Sequence, residues 1–254
     1  MTTLDLHPNP QAAPPAARIR NHARTEIRLV MRNGEQLLLA LVIPIGILVA
    51  GRFLGERVGL TMDLLAPSVL ALAIYSTCFT SQAIMTGFER RYAVLERLSA
   101  TPLGRSGLLA GKATAYCAIS LAQVILLVIV SLALGWHPHG SAVAWVPALV
   151  SVILAMLAFG FLALAMAGRL KAEVTLGVAN LVYIVGVVAG AILWPLADYP
   201  KAIRPVIAIL PTAALGESLR AWGAGQTLWW PLASLFIWAI LLGLLARKVF
   251  RWIS

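Results

Sequence analysis

The chain has 254 residues, 60% hydrophobic and only 12% charged, with a mean hydropathy of +0.87. A soluble domain carries about 25% charged residues; the deficit here comes with long apolar runs, which excludes a soluble globular fold and points to an all-α, polytopic helical membrane protein. The formal net charge of +10 would suit a nucleic-acid partner, but the cations sit at the ends of the apolar runs, so the charge reads as topology and no nucleic-acid partner is expected.

In chain order, residues 1–17 include HPNPQAAPPAA and read as a flexible Pro-rich tail. Over 18–36, Arg20, Arg24, Arg28 and Arg32 recur every fourth residue beside an apolar stripe of Ile19, Ala23, Ile27 and Val30. This pattern predicts an amphipathic helix at the inner membrane surface, its arginines reaching lipid phosphates. Residues 37–254 form the membrane domain, with six expected spans at Leu37–Leu54, Leu64–Thr86, Leu108–Leu134, Val143–Ala167, Val174–Leu196 and Leu228–Ala246. No signal-peptide core precedes them.

Sorted by the loops between these spans, fifteen of the Lys and Arg residues fall on one side. Five fall on the other: Arg52, Arg57, Lys201, Arg204 and Arg220. The positive-inside rule then places both termini in the cytoplasm. Cys78 and Cys117 lie inside spans with no metal or redox spacing and read as buried thiols.

Pro44 predicts a kink in the first span. The second span has a polar inner half, Ser76, Thr77, Thr80, Ser81 and Gln82; the third holds Gln123 and the fifth Asn180. Such groups either bond neighbouring helices or line a pathway, so Ser76, Thr77, Thr80, Gln82, Gln123 and Asn180 are the candidate translocation path. Gly186 and Gly190 form a small-xxx-small pair that marks close helix packing. The outer loop GWHPHGSA holds His137 and His139, but two His around a Pro without a carboxylate or Cys read as a turn, and no metal site is expected. Pro195, Pro200, Pro205 and Pro211 break the segment before the last span into short pieces that dip back from the outer side. There Glu217 and Arg220 read as a local pair, and Trp222, Trp229 and Trp230 as an outer aromatic belt.

The densest charge lies in FERRYAVLERLSATPLGRSGLLAGKAT, Phe88–Thr114. Its Gly111-Lys112 pair resembles the end of a nucleotide loop, but the position five before Gly111 is Ser106 rather than Gly, and Ala113 follows the Lys, so no phosphate cradle forms. Lys112 reads instead as a snorkelling residue at the inner end of the third span. Phe88, Tyr92 and Leu95 fall at i, i+4 and i+7, which predicts one amphipathic helix of about three turns, ended by Thr101-Pro102. It reads either as an anchor for the loop or as a docking element for a partner.

At these residues the chain resembles a family. FERRYAVLERLSATPLGRSGLLAGK is similar to the loop after the second span of ATP-binding-cassette type-2 (ABC-2) exporter permeases, drug-efflux members above all, and LPTAALGESLR at Leu210–Arg220 resembles their segment before the last span. Relatives often carry Gly at the position of Ala93 and Lys at that of Glu96. The resemblance implies a permease subunit in a bacterial cell membrane, with no ATPase of its own. It would bind no cofactor directly, ATP and Mg being held by a partner ATPase, and would pair with a second copy or a related permease. It implies that the ATPase docks on Phe88, Glu89, Arg90, Arg91, Tyr92, Leu95, Glu96, Arg97, Thr101 and Pro102. The cargo would be hydrophobic or amphipathic, with a polysaccharide or glycolipid as the alternative. A stand-alone ion-coupled carrier would need a carboxylate or His within a span, and an intramembrane enzyme a catalytic cluster; the sequence offers neither.

Overall fold

The computed structural model of the chain describes residues 12–55, 59–139 and 142–250. Most of the Pro-rich tail lies outside them, as do Arg57, Gly140, Ser141 and Arg251. The described residues form helices and no strands. Helix α1 (Pro15–Arg32) is followed by α2 (Gly34–Leu37), a π turn (Leu38–Val42) and α3 (Ile43–Leu54). A long helix comprises α4 (Met62–Tyr75), a π turn (Ser76–Ser81) and α5 (Gln82–Arg91), and α6 (Val94–Ser99) follows. Next come α7 (Gly104–Ala133), α8 (Ala142–Ala167) and α9 (Ala172–Ala189), then the short α10 (Arg204–Ala208), α11 (Pro211–Gly223) and α12 (Trp230–Val249).

Among the described residues five helical stretches are long and apolar enough to cross a membrane: Met62–Arg91, Gly104–Ala133, Trp145–Ala167, Ala172–Ala189 and Trp230–Val249. The protein is a multi-pass membrane protein. The first expected span is shorter than the others, its apolar part running over Ala40–Leu54. The expected fifth span, to Leu196, ends early at Gly190, where Ala191 turns left-handed (φ 54°).

Helix α4 is the centre of the bundle. It is apolar all round because it is enclosed on every side, and Leu65–Tyr75 are all buried. Helices α3, α7, α8 and α11 pack around it, and α12 runs along α8. Gly186 lets α9 approach: a Cβ there would sit 2.7 Å from the Tyr75 ring, whose hydroxyl donates to the Val182 carbonyl at 2.9 Å. Trp222 is not part of an aromatic belt. It is 4% exposed and meets Trp136 and Trp145 edge-on at 5.5 and 4.5 Å, whereas Trp229 is 70% exposed. The reason is that α11 does not lie on the surface but is held among α4, α8 and α12.

The stretches Met62–Arg91 and Gly104–Ala133 each have 30 residues. At about 1.5 Å per residue they exceed the roughly 30 Å of hydrocarbon, so the ends that carry Arg90, Arg91, Arg105 and Lys112 project beyond it. α1 and α6 pack on these projecting bases, making one end of the bundle, the α6 end, distinct from the opposite α11 end.

Candidate functional site

Two features of the α6 end stand out, and one cavity lies above them. The first is an ion triad. Lys112, fully buried, is held at 3.0 and 2.9 Å by both carboxylate oxygens of Glu26 on α1, and at 2.5 Å by Glu89 on α5. It therefore does not snorkel: its position faces α1 and α5 rather than water, and two carboxylates supply the charge that solvent would have supplied. Gly111 makes the contact possible, since a Cβ there would lie 2.5 Å from the His22 ring. The Gly-Lys pair is thus the seat of α1. The apolar stripe of α1 packs the same way, with Ala23 and Val30 buried, while Arg20, Arg24, Arg28 and Arg32 are exposed.

His22 sits 3.5 Å from Glu26 on the same helix. Burial lowers its pKa below the ordinary 6.5; Glu26 pulls it up and Lys112 pushes it down. The unfolded chain then binds the proton more readily than the folded one, so this contribution to stability is present above about pH 6.5 and is lost as pH falls below it. His22→Gln should accordingly flatten the fall in melting temperature as pH is taken down from about 6.5; an unchanged pH profile would show that His22 carries none of it.

The second feature is the α5–α6 junction. The expected continuous helix is instead broken at Tyr92–Ala93. Ala93 has φ 56°, the left-handed conformation that glycine adopts freely, and α6 restarts at Val94. The break redistributes the expected docking residues. Glu89 turns into the triad. Arg90, 7% exposed, donates to the Leu170 carbonyl at 2.6 Å, tying α5 to the α8–α9 turn. Leu95 is fully buried, where α6 packs on α5 and α7. These three therefore serve the subunit's own packing: Glu89 and Arg90 already face neighbouring helices on α5, and the left-handed Ala93 turns Leu95 inward. Tyr92 is 63% exposed, stacked on the half-buried Phe88 at 6.4 Å. Arg91 pairs with Glu173 at the start of α9, both half-exposed. Arg97 caps the Tyr92 and Ala93 carbonyls at 3.0 and 3.2 Å; Thr101 donates to the Leu98 carbonyl at 2.6 Å; Glu96, Arg97, Thr101 and Pro102 are exposed.

The cavity, about 530 Å³, lies between α3, the α4–α5 helix and α9, beside both π turns. Asn33, Ser76, Thr80, Ser81, Gln123, Asn180 and Tyr183 supply its polar atoms, and aliphatic groups of Ile43, Leu72, Ile84 and Leu176 much of the rest; among the described residues no charged side chain lines it. A π turn shifts the register and re-aims side chains, which is why such turns gather at functional sites. Gln123 anchors the wall: its oxygen accepts from Thr77 at 2.7 Å and its nitrogen donates to the Ala40 carbonyl within the first π turn. Of the six candidate path residues, Ser76, Thr80, Gln123 and Asn180 converge here. Thr77 stands behind Gln123, and Gln82 faces Gly160 on α8 instead.

The sequence profile of a family described as ABC-2 family transporter protein matches residues 27–248, so the match takes in Glu89 and Lys112 of the triad, the α5–α6 junction and the cavity, and begins one residue after Glu26. The chain belongs to the ABC-2 transporter family. A search of curated proteins finds no match to it. Membership makes it the membrane component of an ABC transporter, a family whose permeases have no ATPase of their own and work with an ABC ATPase.

In this ABC-2 permease, sequence reasoning missed Glu26, His22 and Lys112 as a unit. A signal was available: Glu26 lies on the apolar side of α1 with Ala23 and Val30, and a carboxylate on a buried face requires a cation. It missed Asn33 and Tyr183 as cavity lining because each is a single polar residue outside any periodic stripe.

The α11 end has its own polar anchor. The Arg220 guanidinium, 9% exposed, donates to the Ala191 carbonyl at 2.7 Å, the Ile192 carbonyl at 2.9 Å and the Ser68 hydroxyl at 3.2 Å, and pairs with Glu217 at 2.8 Å. Glu217 also accepts the Leu196 N–H at 2.8 Å. The local pair read from the sequence is present, and it also closes the carbonyls left open where α9 breaks.

Proposed function

We propose that the chain is the permease subunit of an ATP-driven exporter that moves a hydrophobic or amphipathic, uncharged compound out of the cytoplasm or its facing leaflet, in a pair with a second copy or a related permease. The observation that carries this reading is the cavity at the two π turns, with hydroxyl and amide groups set among aliphatic walls and no charged side chain among the described residues of its lining. Among the described residues Tyr183 is its single aromatic lining residue, which argues for such a cargo over a polysaccharide. No residue of the ion triad lines it, so its described lining gives no support to ion coupling.

The Lys and Arg bias puts the α6 end and both termini in the cytoplasm. The partner ATPase, which would hold ATP and Mg, docks on the outward surface of the α5–α6 junction: Tyr92 with Phe88, Glu96, Arg97, Thr101 and Pro102. One helical stretch, Met62–Arg91, carries both the base of this surface and the cavity residues Ser76, Thr80 and Ser81. A push on α6 at ATPase closure therefore reaches the cavity through a single rigid rod, and the two cavity states are biased by differential binding at α6.

The test is co-purification in mild detergent from the native host. A soluble P-loop ATPase should accompany the chain. Tyr92→Ala with Glu96→Ala should cut its recovery roughly tenfold, as loss of an exposed aromatic anchor does, with the permease still inserted. Full recovery with this double variant would remove the docking assignment. Glu89→Ala with Arg90→Ala is a poor probe, since both side chains hold the subunit itself together.

A further inference from the structure

A second cavity, about 230 Å³, opens on the opposite side of Gln123. It lies between α1, the first π turn and α7, with Ile27, Met31, Leu41, Ile119, Ala122 and Leu126 among its walls. Its mouth is set by small residues: Ala118 and Ala122 are exposed, and beyond the slot the exposed Ile125 and Ile129 continue the same stripe of α7. That stripe is the face of a membrane-crossing helix turned to hydrocarbon, so the slot opens to the bilayer rather than to water.

The mouth has a charged rim. Arg24 and Arg28 lie roughly 60 to 100° around α1 from Ile27, next to Met31, at about 100° per residue; Arg20 and Arg32 extend the row. All four are exposed, and none forms an ion pair among the described residues. A row of guanidiniums without counter-ions among the described residues, beside an aliphatic slot facing lipid, matches one occupant by charge and by polarity together.

We propose that this slot is a binding site for an anionic phospholipid of the bilayer, one acyl chain lying between α1 and α7 and the phosphate resting on the arginine row. The slot shares Ala40, Ser81 and Gln123 with the larger cavity. The bound chain thus backs the wall that Gln123 holds, and it also braces α1 against α7 beside the triad.

The test places the full chain in phosphatidylcholine nanodiscs doped with a trace of phospholipid carrying a diazirine on one acyl chain, with either a glycerol or a choline headgroup, and maps adducts after irradiation. The phosphatidylglycerol probe should label Ile119 and Ala122 roughly thirtyfold more than the phosphatidylcholine probe, as two arginines would impose. Arg24→Gln with Arg28→Gln should bring the two probes to parity. Ala122→Trp should abolish labelling at Ile119 while leaving it at Ile129, outside the slot. Equal labelling by both headgroups in the unaltered chain, or adducts confined to Ile125 and Ile129, would mean general bilayer contact and overturn the proposal. The headgroup comparison needs no variant, so it decides even where Ala122→Trp fails to fold. No ATPase takes part, so the outcome is independent of the docking test.

Discussion

Lys112→Met should destabilise the protein by about 3 to 5 kcal/mol, seen as a lower melting temperature in detergent and as new protease cleavage within α1. Lys112 is the cation between Glu26 and Glu89, and it is fully buried. Methionine fills the space of the side chain but leaves two carboxylates facing each other without a counter-charge. The cost is the exposure of that repulsion and of two poorly solvated anions, not the loss of a favourable pair, because a buried ion pair is itself roughly neutral against an apolar substitute. The triple variant Glu26→Leu, Glu89→Leu, Lys112→Met should therefore recover much of what the single variant loses. If Lys112→Met melts within about 1 kcal/mol of the unaltered chain, the triad does not hold α1. If the triple variant is stable but ATPase coupling fails in it, the charges serve to orient α1 and α5 rather than to stabilise them.

Arg220→Met should cost a similar amount, about 3 to 5 kcal/mol, and its effect should concentrate at the α11 end. Its guanidinium serves two carbonyls at the broken end of α9, a hydroxyl on α4 and the carboxylate of Glu217. Without it, the Ala191 and Ile192 carbonyls are buried without a donor, and Glu217 keeps only the Leu196 amide. Hydrogen exchange at Leu196 should accelerate along with the fall in melting temperature. Arg220→Lys should rescue only part, because one ammonium cannot reproduce the planar fork that spans two carbonyls and a carboxylate. Full rescue by lysine would show that charge alone matters there.

These two residues also show where the sequence was legible. Arg220 and Glu217, three apart on a short helix, announced their pairing because both partners belong to one local period. The carbonyls that Arg220 closes could not be read, since they lie at a helix end whose position depended on Gly190 and Ala191 adopting an unusual turn. Lys112 was misjudged for the same reason in reverse. Its partners are far away in sequence, at 86 positions for Glu26, and no periodic pattern connects residues on different helices. In the docking segment, the stripe Phe88, Tyr92 and Leu95 was sound arithmetic for an unbroken helix. The left-handed Ala93 resets the phase, so Leu95 faces inward and Tyr92 outward.

What the sequence by itself determined is the membrane class, four of the apolar spans within about five residues of their ends, the amphipathic α1, the charge bias between the two ends and the family resemblance. Each of these follows from local composition and period: apolar length matched to hydrocarbon, arginines every fourth residue, cations at span ends. Only the tertiary structure decided which polar residues share a cavity, that α1 is pinned through Lys112 rather than merely floating on lipid, that Trp222 belongs to the core, and which charges of the α5–α6 junction remain outward. Those are questions of phase between helices, and a single π turn or left-handed residue shifts that phase by a large part of a turn while leaving almost no trace in the residue pattern.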